Sequence, residues 1–358
     1  MRILFVTQTI DADHPALAQT IDLVGALAAR SSSVTVLCDS VRRHDLPENV
    51  DFETFGAGTR PGRGLRFARA AGAVVLSRRR RPDAVLVHMV PLFLLLLAPL
   101  AKAARVPLLL WYTHWNASRS LRLATRLADT VLSVDRRSFP LETPKLRATG
   151  HAIDVERFTP ADGAVAGGAL RLLALGRMAR WKGYETMLEG LRLAVDSGLD
   201  AELELRGPAL SADERAHAEE LKEIVAHSQQ LHGRVRIEQP LAREEIPARL
   251  RQVDALLSAT QPQGSETLDK VVYEAASCGV PVVASNAALE EFLGGLGLEL
   301  RFAPRDADAL ARILLELESA GPEARRAAGL ELRRRVVAQH SLDSWADGVV
   351  RIVAEGSE

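Results

Sequence analysis

The sequence predicts an α/β protein of two doubly wound domains, and three observations lead there. Short apolar runs alternate with stretches of helical periodicity along all 358 residues. The alternation restarts near residue 170, after a stretch bearing Pro and Gly at 153–168. The length suits two domains, each able to bury its own core. Strands that read as continuous apolar runs belong to parallel sheets covered on both faces.

In chain order, the runs 2–7, 33–38, 83–88, 107–112 and 130–134 suit buried parallel strands, with a further one at 50–55. Helical periodicity fills 16–30, 64–80, 91–104 and 119–128. The apolar run Val90–Leu100 is about half of the roughly 20 residues needed to cross a bilayer. It reads as a buried helix, with Pro91 suited to the first turn. Met1–Val6 leads straight into a strand, so no removable presequence is expected. After "IDVERFTPADGAVAGG" (153–168), strands are expected at 170–175, 201–205, 233–237, 254–258, 281–284 and 298–302. Helices are expected at 182–196, 211–228, 243–251, 268–278, 287–293, 306–319 and 322–338. A last amphipathic helix at about 341–354 carries Trp345, Val349, Val350 and Ile352 on one face and needs a surface to dock on. The expected domains are 1–155, with 341–358 packing back onto it, and 156–340. Ligands of such folds sit outside the carboxyl ends of the strands, so two of them face to face would make a cleft.

Composition is that of a globular protein, 47% hydrophobic and 25% charged. The net charge of −1 is divided unevenly: residues 1–150 hold 21 Lys+Arg against 12 Asp+Glu (+9), and the remainder 24 against 34 (−10). A basic half points to an anionic partner. Arg60, Arg63, Arg66 and Arg69 recur every third residue, and Arg78–Arg81 follow. Two readings stand: a solvated helix with a basic end, or a patch touching anionic lipid or a phosphorylated acceptor. No aromatic residues interleave with these arginines, which speaks against nucleic acid. Cys38 and Cys278 lie in apolar runs and read as buried thiols of a reducing compartment. A cytoplasmic location is expected, with peripheral contact at the inner face of the membrane under the second reading of the arginines.

The first strand runs into "TQTIDADHPALAQT" (7–20), which has no glycine. A dinucleotide site would want GxGxxG there, so an NAD enzyme is disfavoured. Asp11-Ala12-Asp13 and Asp306-Ala307-Asp308 are DxD pairs, a pattern that can hold a divalent ion on phosphates. The second is more simply a helix cap, and no metal site is assigned. The second half opens with "LLALGRMARWKGYETMLEG" (172–190), where a strand ends at Gly176 and Arg177 and Lys182 flank a loop entering a helix. Two cations beside a strand end and a helix N-terminus suit a diphosphate; two ordinary surface cations are the plain alternative. "GSETLDKVVYEAASCGVPVVAS" (264–285) sets Glu266 and Glu274 eight positions apart. Glu266 alone could be a first-turn charge. Glu274 sits at the margin of an apolar face with Val271, Val272, Ala275 and Ala276, and needs a partner.

Together, "GRMARWKG", Glu266-x7-Glu274 and "EAASCGVPVVAS" resemble the second domain of GT-B retaining glycosyltransferases of family four, the glycosyl transferases group 1. "GHAIDVERFTP" (150–160) resembles the stretch by which that family crosses between domains. The resemblance covers nearly the whole chain, most strongly 145–290. It implies two Rossmann-like domains facing across a cleft, the second holding a nucleotide sugar. It further implies that Arg177 and Lys182 neutralise the departing diphosphate, that Glu274 takes ribose hydroxyls, and that Glu266 lies by the transferred sugar. His114, in "LLLWYTHWNAS", matches a first-domain histidine near the sugar, and Gly207, in "LRGPAL", a glycine loop at the nucleotide. Where the family often has a Gly-Phe-Gly-like turn, this chain has Thr267-Leu268-Asp269-Lys270. Leu268 and Lys270 then fall at the nucleotide, and Asp269 brings a like charge toward a phosphate site. Thr7, Gln8 and His14 stand in for a missing glycine-rich first loop.

The implied activity is transfer, with retention, from a nucleotide-diphosphate sugar to a hydroxyl acceptor such as a glycan or a lipid-linked glycan. The nucleotide sugar is a co-substrate, UDP or GDP, and no cofactor or metal is expected. Two alternatives remain: a nucleotide-sugar epimerase or hydrolase of the same architecture, and a non-catalytic nucleotide-binding relative. The segment Leu268-Asp269-Lys270 keeps the last one open.

Overall fold

The computed structural model describes residues 1–358 except 15–16, 57, 115, 162–167, 262–268 and 357–358, and of Arg60 the backbone alone. The described chain forms two compact units, Met1–Ala152 with Gln339–Glu358, and Ile153–Ala338.

In the first unit the apolar runs become β1 (Arg2–Val6), β2 (Ser33–Cys38), β3 (Val50–Thr54), β4 (Ala84–His88), β5 (Leu108–Trp111) and β6 (Thr130–Ser133). A short β7 (Leu146–Ala148), too brief to show periodicity, adds an edge. They pair in the order β3-β2-β1-β4-β5-β6-β7, all parallel. β1 lies inside the sheet, between β2 and β4, so Leu4 faces Thr35 on one side and Val85 on the other. The helices are α1 (Thr20–Ala28), α2 (Arg60–Val75), α3 (Pro91–Ala104) and α4 (Arg119–Leu127). Phe67, Leu94 and Leu121 from α2, α3 and α4 share one core with Val6, Val85 and Leu110. On the other face, α1 shares a core with Trp345, Val349 and Val353 of the last helix.

α2 differs from the expected 64–80 at both ends. Thr59 caps it, accepting a hydrogen bond from the Gly62 N–H at 3.2 Å, and Pro61 sits in its first turn. It stops at Val75, and Arg78–Arg80 lie in a turn rather than on a helix end. Four adjacent like charges followed by Pro82, which disfavours helix at the preceding residue, account for the stop.

The second unit carries β8 (Leu170–Leu175), β9 (Ala201–Arg206), β10 (Val235–Glu238), β11 (Ala255–Ser258) and β12 (Val282–Ala284), ordered β10-β9-β8-β11-β12 and all parallel. Segment 298–302 does not become a strand, and only Arg301 bridges to Ala284. Gly295 and Gly297, both with positive φ, turn the chain just before it, and Pro304 follows, which leaves little length to pair. The helices are α5 (Tyr184–Asp196), α6 (Ala212–His227), α7 (Ile246–Leu250), α8 (Lys270–Ser277), α9 (Glu290–Leu293), α10 (Ala307–Ser319) and α11 (Gly321–Gln339).

The last helix, α12 (Leu342–Glu355), belongs to the first unit. Its Trp345 is fully buried with the ring 5.0 Å from that of Trp111, and Arg30 of the turn after α1 pairs with Asp343 and Asp347. A helix with no partner within its own sequence neighbourhood thereby closes the open face of the first sheet.

Candidate active site

The second unit's site is built at the carboxyl end of its sheet. β8 ends at Leu175, and Gly176 and Arg177 turn away from it. Gly207 follows β9 and backs directly onto that turn: a Cβ there would lie 1.6 Å from the Gly176 carbonyl oxygen, so no other residue fits. The buried Tyr184 hydroxyl donates to the carbonyl oxygens of Gly176 at 2.8 Å and Arg177 at 3.2 Å. Burial, helped by the charges of Asp269 and Glu214, pushes the Tyr184 phenol far above its ordinary range, so it remains a donor.

The expected helix 182–196 is divided. Arg180–Lys182 form one 3₁₀ turn, and α5 begins only at Tyr184. Between them Gly183 has φ +68°, and a Cβ there would meet the Ala259 carbonyl oxygen at 2.2 Å. The turn is thus pressed against the end of β11, where the Gln261 N–H donates to the Trp181 carbonyl at 2.7 Å. This placement delivers Lys182 to the start of α8. Its ammonium lies 2.6 Å from Asp269 Oδ1 and 4.4 Å from the Trp181 ring centroid. Thr260 donates to the other Asp269 oxygen at 2.7 Å.

Arg177 pairs with Glu214 of α6. Ser211 and Glu214 form the start of a capping box, with Ser211 accepting from the Glu214 N–H at 3.1 Å. The Glu214 side chain turns instead to the Leu210 N–H, at 2.6 Å, and to Arg177. Burial alone would raise its pKa, but the Leu210 amide and Arg177 outweigh that and hold it below the usual carboxylate range. The partner that Glu274 needs is Lys270, one helical turn away at 3.2 Å. The structure therefore gathers Arg177, Lys182 and Gly207 around one strand end and links Lys182 through Asp269 to the α8 segment that bears Lys270 and Glu274. Glu266 and Leu268 lie outside the described residues. Glu214, Thr260 and Tyr184 were not singled out from sequence. Ser211-x-x-Glu214 was a readable helix-start signal, but nothing in it points to Arg177.

In the first unit His114 follows β5 and is exposed. Its Nδ1 accepts from the Asn116 N–H at 3.1 Å, which leaves the proton on Nε2. Although the residue is exposed, its ring is screened enough to lower the pKa below the ordinary histidine value. A pocket of about 520 Å³ in the same unit opens beyond β1, β2 and β3, lined by Phe55, Phe67, Phe93, Leu92 and Leu96 and rimmed by Gln8, His14 and Arg63. Phe55 meets Phe67 and Phe93 edge-on at 5.1 and 5.3 Å. Arg63 is paired with Asp39 at 3.0 Å, and Arg66 donates to the Gly56 carbonyl at 2.7 Å. Of the three first-loop substitutes, Gln8 and His14 line this pocket. Thr7 does not; it is buried against His88 Nδ1 at 3.1 Å. Asp13 pairs with Arg43 at 2.8 Å and Asp306 caps α10 through the Ala309 N–H at 2.8 Å.

Residues 169–319, which include β8 through α10 and every second-unit side chain named above, match the family model described as Glycosyl transferases group 1. Over those 151 of its 358 residues the chain is similar to the group 1 glycosyltransferases. Its fold is GT-B over the full length. It is similar to Anabaena Alr3699/HepE, solved in complex with UDP (TM-score 0.78, 16% identity, 99% of this chain and 100% of that one). It is similar as well to WaaG, a glycosyltransferase involved in lipopolysaccharide biosynthesis (TM-score 0.64, 14% identity, 98% and 99%). A trehalose-6-phosphate synthase studied for glycosyl transfer with retention matches too (TM-score 0.70, 14% identity, 99% of each chain). No curated protein matches the chain.

Proposed function

We propose that this protein is a glycosyltransferase that takes a sugar from a nucleoside-diphosphate donor and places it, with retention, on a hydroxyl of a lipid-linked or cell-envelope glycan at a membrane surface. The observation that carries the reading is the pair Arg177 and Lys182, held by Gly207, Tyr184 and Gly183 at one strand end inside the matched domain. Breaking the anomeric C–O bond leaves negative charge on the diphosphate. Two fixed cations stabilise it where it develops. The anomeric carbon bonds to the acceptor oxygen on the face the diphosphate leaves, and the acceptor proton passes to the departing phosphate oxygen. HepE was solved with UDP, so uridine nucleotides are the first donors to try.

In this reading Glu274 exchanges Lys270 for ribose hydroxyls, Gly207 lets backbone approach the nucleotide, and Leu268 and Lys270 border it. Glu266 and His114 keep the sugar-side roles that the resemblance implies. No cofactor and no metal enter the scheme. The apolar pocket with Arg63 at its rim and the basic α2 favour an acceptor with an apolar group and an anionic one. Leu65, at 74% exposure on α2, and Leu92, at 55%, add apolar surface suited to peripheral membrane contact.

Calorimetric titration of UDP, GDP and their sugars tests the donor side. The Arg177→Ala and Lys182→Ala variants should each weaken binding about tenfold or more, the size of one charge-assisted contact. Equal affinity in both variants and wild type would remove the donor assignment. Proton NMR of the first-formed product reads the stereochemistry.

A further inference from the structure

We infer that Asp269 is a built-in counter-ion that holds the diphosphate's place at Lys182, so that the donor must displace it; this rests on the donor reading of Arg177 and Lys182. Asp269 is the N-cap residue of α8, yet its side chain makes no cap hydrogen bond. Aspartate at that position ordinarily accepts from the first free N–H groups of the helix. Here both of its oxygens point elsewhere, Oδ1 to the Lys182 ammonium at 2.6 Å and Oδ2 to the Thr260 hydroxyl at 2.7 Å. An ammonium, a hydroxyl and an uncapped helix N-terminus are the donors a phosphate oxygen would use. The carboxylate therefore copies the contacts of an anion in the seat of an anion.

The two cations are not equivalent in this respect. The Arg177 side chain is 49% exposed, and its guanidinium has donors to spare beyond Glu214, which the Leu210 amide holds in any case. A phosphate can join Arg177 without moving Glu214. The Lys182 and Asp269 side chains are only 11% and 15% exposed, so their charges act with little screening. A phosphate oxygen arriving at Lys182 meets Asp269 at close range, and the two like charges cannot share the site. Anions anchored only by charge lose that competition. A ligand that also gains base, ribose and sugar contacts wins it. Asp269 thus selects whole nucleotide sugars over bare pyrophosphate.

The test compares wild type, Asp269→Asn and Asp269→Gly by calorimetry and thermal melting with UDP, GDP and pyrophosphate. Removing the carboxylate should tighten nucleotide binding about tenfold or more and pyrophosphate binding by a larger factor. Without ligand both variants should melt below wild type, because Lys182 is left shielded and without a counter-ion. Nucleotide should then raise their melting temperature by more than it raises that of wild type. In turnover, KM for the donor should fall while kcat changes less. Folded variants with unchanged or weaker affinity overturn the inference and make Asp269 a ligand of the donor or a strut. If wild type and folded variants alike bind no nucleoside diphosphate, the donor reading falls, and this inference with it. The glycine variant keeps the test readable if the asparagine variant fails to melt cooperatively.

Discussion

At residue 207 a single methyl group decides whether the Gly176–Arg177 turn keeps its place. Gly207 is required for space, since its Cβ would overlap the Gly176 oxygen and lie 3.3 Å from the Arg177 nitrogen. Gly207→Ala should push the Gly176–Arg177 turn off its strand end, costing at least about tenfold in nucleotide affinity and lowering the melting temperature by several degrees. An unchanged affinity would mean that the turn is not where the phosphates bind. Tyr184→Phe is the gentler version. It strips the donor from two buried carbonyls, for about 1 kcal/mol of stability by urea titration. Arg177 and Lys182 were legible because a strand end, a glycine and a helix start adjoin them in sequence. Their partners were not. Glu214 lies 37 residues from Arg177 and Asp269 lies 87 from Lys182, and periodicity carries no distance information across such spans. Glu274 shows the opposite case: the need for a partner was readable, and the partner, Lys270, sat four residues away.

Among the elements, those whose burial pattern is set by their own residues were readable, and those shaped by neighbours were not. β1 is apolar because both sheet faces are covered, which a run of five residues announces. α2 was displaced because Thr59 and Pro61 fix its start and the arginine run with Pro82 fixes its end, local signals that outrank the periodicity of 64–80. The split at Gly183 comes from Ala259, distant in sequence and pressed against it in space. α12 was legible as an apolar face in want of a surface, and the surface is that of α1 and β5. That contact can be weighed. Trp345→Ala removes a fully buried ring and should cost about 3–5 kcal/mol in the unfolding free energy of the first unit. A loss below about 1 kcal/mol in urea titration would show α12 to be a loose appendage rather than part of that core.

For the whole molecule the charge-bearing groups set a pH window. His88 is buried between the rings of Phe5 and Trp111, at 5.7 and 5.2 Å, and burial pushes its pKa down to about 4. His340 is also near 4, lowered by burial and only partly offset by Asp135. In the unfolded chain both return to the ordinary value near 6.5. Between those limits the unfolded state binds protons that the folded state refuses, so stability falls as pH drops from 6.5 toward 4. Each histidine contributes a slope of up to about 1.4 kcal/mol per pH unit across that window. Glu204 and Glu214, whose folded values lie below the ordinary carboxylate range, add losses of the same sign only at lower pH, as their ion pairs are protonated. The order of events is therefore fixed: histidines first, carboxylates afterwards. Trp111 and Trp345 are both buried in the first unit, so intrinsic fluorescence reports on the core of that unit. Urea midpoints followed this way should be level above pH 7 and decline steadily from 6.5 to 4.5, and His88→Gln should roughly halve the decline. A flat profile to pH 4.5 in wild type would show that His88 and His340 accept protons without unfolding the sheet around them.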